Sequence, residues 1–135
     1  MPSSSSGPQV SDAELQVLKV LWEQGSGTVR EVAAALERQR RHGKPWAYTT
    51  ILTLLTRLRS KGYVAHDRGN VAHVFRAAVS RQALLGQGLA ELADRMCDGT
   101  SSPLVHALVE SRRLSPEDVA QLRRMLDELE RKDKP

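Results

Sequence analysis

The chain has 135 residues with a formal charge of +4, which suits one ordinary domain, or a small domain with an appendage, and is too short for an α/β barrel or a two-domain enzyme. Apolar residues make up 40% of it, enough for a core, but no apolar run approaches the roughly 18–20 residues that span a bilayer, so no stable membrane association is expected. Cys97 stands alone, which excludes an intramolecular disulfide and argues against a cysteine-rich metal site.

Residues 1–9 are rich in Ser, Gly and Pro and lack periodicity. They are expected to form a disordered tail. No apolar segment follows a basic one there, so the segment does not read as a signal peptide and a cytoplasmic location is expected. At Ser11 a helical pattern begins. Ser11 and Glu14 form a capping box, with Val10 and Leu15 placed as a hydrophobic staple. Leu15, Leu18, Leu21 and Trp22 then predict a first helix to about Glu23, stopped by Gly25 and Gly27. A second capping box, Thr28 with Glu31, opens a helix whose stripe is Val29, Val32, Ala33 and Leu36. It ends in a polar basic stretch before Gly43 and Pro45. A third helix is predicted over 46–61 from Ile51, Leu54, Leu55 and Leu58, with Gly62 at the position of a left-handed C-cap.

The period then changes to two. Segments 63–67 and 71–77 read as strands joined by Arg68-Gly69-Asn70, a tight hairpin. With Gly69 and Asn70 as the turn, His66 would face His73. Two imidazoles do not make a metal site, so neither metal nor cofactor is expected. Beyond Ser80 the chain returns to helical spacing in three segments, to about Asp98, over 102–111, and over 115–132. Leu85, Leu89, Leu92 and Met96 follow the four-three-four spacing of a helix seam, and Val119, Leu122, Leu126 and Leu129 form a second stripe. Leu104 and Leu108 lie on the short helix between them. These helices are too few to build a second core, so a homodimer through Leu85, Leu89, Leu92, Met96, Leu104, Leu108, Leu122, Leu126 and Leu129 is expected.

Three helices and a hairpin within about 70 residues are the order of a winged helix-turn-helix. The expected organisation is mainly α with one small hairpin: a tail over 1–9, a winged domain over 10–79, and a helical dimerisation domain over 80–135. Charge divides along the same line. Residues 1–79 carry 11 Lys/Arg against 6 Asp/Glu, a net +5, and residues 80–135 carry 9 against 10, a net −1. Between Arg38 and His66 there are seven basic residues and no acidic one. A basic segment of this kind suits the phosphates of double-stranded DNA.

The polar face of the third helix carries Thr49, Thr50, Thr53, Thr56, Arg57 and Lys61. Short hydroxyls and Thr methyls can approach base edges in a major groove, while Arg and Lys reach guanine or phosphate. Any amphipathic helix has a solvated face, but Thr is a weak helix former and an uneconomical choice for one. Arg68 at the hairpin would give the wing a basic tip. No nucleophile–base motif or phosphate loop is present, and the C-terminal carboxylates alternate with Arg and Lys, so no enzyme is expected.

The segment Ala47-Tyr48-Thr49-Thr50-Ile51-Leu52-Thr53-Leu54-Leu55-Thr56-Arg57-Leu58, followed by Lys61-Gly62-Tyr63-Val64, resembles the signature of the BlaI/MecI penicillinase-repressor family, which also includes the copper-responsive CopY repressors. Ser11-Asp12-Ala13-Glu14-Leu15, Leu21-Trp22, Thr28-Val29-Arg30-Glu31-Val32 and Leu114-Ser115-Pro116-Glu117-Asp118 are similar to its other helices. The resemblance spans about residues 10–130. It implies a homodimeric repressor bound to a palindromic promoter operator, with Tyr48, Thr49, Thr50, Thr53, Arg57 and the wing around Arg68 facing DNA. It also implies a membrane sensor protease as partner. Where such members are cut at Asn-Phe, this chain aligns Ala107-Leu108, and the paired Cys-x-Cys motifs of CopY are absent. The readings left beside the repressor are a winged-helix protein-interaction module and a MarR-like ligand-sensing regulator.

Overall fold

The computed structural model describes residues 9–39, 43–68, 73–98 and 100–133. Residues 1–8 of the expected tail over 1–9, the basic residues 40–42 and the Gly69-Asn70 turn lie outside them. The elements run α1 (Asp12–Gln24), α2 (Val29–Gln39), α3 (Tyr48–Ser60), β1 (Val64–Arg68), β2 (His73–Ala77), α4 (Arg81–Met96), α5 (Ser102–Glu110) and α6 (Pro116–Asp133).

Both capping boxes form. The Glu14 N–H donates to Ser11 Oγ at 3.1 Å and the Ser11 N–H to Glu14 Oε1 at 2.8 Å. The Thr28 N–H donates to Glu31 Oε1 at 2.8 Å and the Glu31 N–H to Thr28 Oγ1 at 3.2 Å. Thr28→Ala is therefore expected to lower stability by about 1 kcal/mol in a urea titration, the usual cost of a lost N-cap. At the end of α3, Gly62 adopts φ +85°, and the Tyr63 N–H reaches the Leu58 carbonyl while the Gly62 N–H reaches that of Arg59, both at 3.0 Å. This pairing releases the chain sharply from α3 into the hairpin. α3 itself begins two residues later than its sequence pattern. Ala47 is extended and acts as N-cap, because Trp46 is held back to pack against the core.

One core unites the first five elements. Leu18 and Leu21 of α1 meet Ile51, Leu55 and Leu58 of α3, with Val32 and Leu36 of α2 and Tyr63, Val64 and Phe75 of the hairpin closing round them. Gly27 adds an isolated antiparallel bridge to β2 by exchanging backbone hydrogen bonds of 2.8 and 2.9 Å with Phe75.

That bridge explains a correction to the hairpin register. His66 pairs with Phe75 rather than with His73, and Arg68 pairs with His73. Seating Phe75 in the core and against Gly27 sets the register, leaving four residues, 69–72, between the paired strands rather than two. A two-residue shift preserves the face each side chain takes, so the His66 and His73 rings still approach to 5.1 Å between centroids.

The chain divides into two units, residues 1–89 and 90–135, so the division falls within α4 and not at residue 80. The reason lies in the first turns of α4. Leu84 packs against the core of the first unit, and the Tyr63 hydroxyl donates to Gln87 Oε1 at 3.0 Å. The second unit has little core of its own. Ala93 is buried, but α5 and α6 bury no residue. Leu108, Leu126 and Leu129 are exposed, as are Leu85, Leu89 and Met96 along α4, while Leu92, Leu104 and Leu122 are half-buried.

Candidate nucleic-acid interface

The core grips α3 by Ile51, Leu54, Leu55 and Leu58, which fixes the face it turns outward. Thr49, Thr53, Thr56 and Ser60 recur there at four-three-four spacing, and all are exposed. Thr50 and Arg57 flank them on one side; Tyr48, Leu52 and Arg59 flank them on the other, and these too are exposed. The Thr53 hydroxyl donates to the Thr49 carbonyl at 2.8 Å. Its proton is thus spent inside the helix, and what it offers outward is a lone pair and a methyl group.

Two cations missed by the sequence reading join this surface. The Arg30 guanidinium of α2 lies 5.8 Å from the centre of the Tyr48 ring, within cation–π range. Arg59 reaches the hairpin, with Nη1 2.8 Å from Nδ1 of His66. Their place beside α3 is not legible from sequence spacing, because α2 and the wing are brought to α3 only by folding. Arg57 has no paired carboxylate among the described residues, where the ion pairs are Lys61–Glu14 and Arg76–Asp67.

Lys61, expected to face DNA, is engaged within the fold. Its Nζ donates to both carboxylate oxygens of Glu14, at 2.7 and 2.9 Å, and to the Gln9 carbonyl at 2.7 Å. The charge is committed to tying the end of α3 to the start of α1. Arg68 ends β1, and its side chain lies outside the described residues. Among the described residues no group of three or more His, Cys, Asp or Glu is placed to hold a metal ion.

A helix–turn–helix with an outward face of threonines and arginine, backed by a two-stranded wing, is matched by known proteins. A family model described as the penicillinase repressor matches residues 10–128. The chain belongs to the penicillinase repressor family. Within that family it is 31% identical over 121 residues to the penicillinase repressor of Bacillus licheniformis, covering 90% of this chain and 91% of that one. It is 34% identical over 125 residues to the transcriptional regulator BlaI of Mycobacterium tuberculosis (strain CDC 1551 / Oshkosh), covering 90% and 86%. The solution structure of the DNA-binding domain of the repressor BlaI aligns with a TM-score of 0.48 at 34% identity, over 56% of this chain and 88% of that one. The penicillinase repressor family is one of regulators rather than enzymes.

Proposed function

We propose that this chain is a transcriptional repressor that binds a palindromic DNA operator as a homodimer and blocks transcription by occupying the promoter. The observation that carries the reading is the α3 surface, in which Thr49, Thr53 and Thr56 run along the exposed crest beside Arg57, which has no paired carboxylate among the described residues. A rigid helix with short polar side chains on its crest and a guanidinium at its flank fits a major groove, where bases are distinguishable by their edges. Family membership supports the same reading. Two α3 helices related by a two-fold axis would read half-sites about 34–36 Å apart. Such work on DNA is cytoplasmic in a bacterium.

The exposed apolar side chains of α4, α5 and α6 support a second copy as the partner of the C-terminal unit. A membrane sensor protease cutting near Ala107-Leu108 is the proposed means of relief; both residues lie on α5 and are exposed.

The test is selection of bound duplexes from a random-sequence pool, followed by gel-shift titration of the selected site. Affinity is expected to fall by orders of magnitude between about 50 and 200 mM salt, as several phosphate contacts require. A protein partner held by apolar contacts would show no such loss. Arg57→Ala and Thr53→Ala are each expected to weaken the selected site by about 1–3 kcal/mol and to relax sequence preference at one position. Unchanged affinity in both variants would remove α3 from base recognition.

A further inference from the structure

One side-chain cluster lies beside the recognition surface without belonging to its crest. Arg59, on the wing-side flank of α3, places Nη1 2.8 Å from Nδ1 and 3.1 Å from Nε2 of His66 on β1. The His66 ring lies 5.1 Å from that of His73 on β2 and 5.6 Å from that of Phe75, centre to centre. Phe75 is buried, His66 is half-buried, and Arg59 and His73 are exposed. The cluster therefore starts at the core and opens to solvent where the recognition helix meets the wing.

We propose that Arg59, His66 and His73 form a clamp for one DNA backbone phosphate, seated between the recognition helix and the wing. The clamp rests on the DNA-binding reading above. A guanidinium has donors and no acceptor, so in the free protein Arg59 donates and the His66 ring accepts. A phosphate oxygen entering the cluster accepts from Arg59 instead. Each imidazole that takes up a proton then adds a charged donor to the same anion. DNA binding is thereby linked to proton uptake by the imidazoles.

The surroundings agree with an anion. Arg59 faces the rings from α3, and the rings face each other across the strand pair, where Arg68 is in backbone register with His73. Asp67, next to His66 in sequence, lies on the other hairpin face and pairs with Arg76 at 2.7 Å. α1 and α2 meet β2 through the Gly27–Phe75 bridge and apolar side chains. The contact is to backbone, so it adds affinity on any sequence and sets the wing's position without reading bases.

The experiment uses the full chain and a mixed-sequence duplex of about 30 base pairs, titrated by fluorescence anisotropy between roughly 50 and 200 mM salt, at about pH 6 and pH 8. In the unsubstituted chain, affinity at fixed salt is expected to be about tenfold higher at the lower pH, because protonated imidazoles join Arg59 on the same phosphate. Arg59→Gln is expected to flatten the slope of log affinity against log salt by about 1 at both pH values. His66→Gln with His73→Gln is expected to abolish the pH difference. Thermal melts verify that each variant is folded, and His73→Gln alone, at an exposed position, serves if the double variant is not. An affinity independent of pH in the unsubstituted chain, or a pH difference that survives the His substitutions, overturns the clamp while DNA binding stands. Failure of the unsubstituted chain to bind either this duplex or any from a random pool overturns the repressor reading along with the clamp.

Discussion

Replacing Lys61 by Met is expected to lower the free energy of unfolding by about 3–4 kcal/mol and to leave the operator affinity of the folded protein essentially unchanged. Both halves follow from where the ammonium points. The Glu14 side chain is 2% exposed and that of Lys61 28% exposed. Glu14 occupies the third position of α1, where it closes the capping box, and its two oxygens also accept from Lys61. Removing the ammonium leaves a carboxylate charged, buried and without its cation, which costs more than the intact pair gains. Met retains the length and apolar bulk of the stem, so the loss reports the charge. Adding Glu14→Gln to the Lys61 variant is expected to recover part of it, and the double-mutant cycle gives the coupling directly.

The same pair sets an acid limit on stability. Burial disfavours the Glu14 charge, but the hydrogen bonds from Lys61 and from the Ser11 backbone and hydroxyl, together with the ammonium's charge, outweigh it. The carboxyl is held below its ordinary 4.5. A folded value below the unfolded one means that the contribution is present above 4.5 and is lost as pH falls through the folded value. Unfolding free energies measured down a series of acidic buffers are expected to decline in that window, and Glu14→Gln is expected to lose this component of the decline. An identical acid profile in the Gln variant would show that other carboxylates control it.

Much of the first unit was legible because its signals are local. Ser11 with Glu14, Thr28 with Glu31, and Gly62 each announce a helix end within four residues of chain, and the apolar period of α3 fixes which face is left for Thr49, Thr53 and Arg57. What escaped the sequence is held over long separations. Lys61 and Glu14 are 47 residues apart, so a lysine counted among the basic residues of one segment proved to be neutralised by the start of another. Trp22 donates from Nε1 to the Val79 carbonyl at 2.8 Å across 57 residues, and the Arg81 guanidinium stacks 5.3 Å from its ring centre, a junction that periodicity cannot show. The hairpin misled for a related reason. Gly69-Asn70 is a strong two-residue turn signal, but the register obeys Phe75, whose place in the core and bridge to Gly27 outweigh local turn preference. The seam of α4 has only its spacing as a signal, and Leu89 and Met96 stand 53% and 74% exposed in the single chain.

Those exposures make the C-terminal leucines the most informative positions for assembly. Leu126 and Leu129 are each 57% exposed, and α6 buries no residue. In an isolated chain, exchanging a largely exposed Leu for Glu costs little, since most of its surface is already in water and the new charge is hydrated. In a two-fold dimer each substitution is made twice, and the charge is forced into the apolar seam between the copies. Leu126→Glu with Leu129→Glu is therefore expected to halve the mass seen by sedimentation while keeping the helical content and the melting transition of the first unit. Operator affinity is expected to fall by about 10²–10³-fold, because the second half-site is then bound from solution rather than by a tethered copy. The loss on a single half-site duplex is expected to be small, since α3 and its core are untouched. That contrast separates a broken dimer from a damaged DNA-binding unit: equal losses on the half-site and the full palindrome would mean that the leucines act on the fold. A dimer that survives both charges would place the seam elsewhere, along Leu85, Leu89 and Met96 of α4.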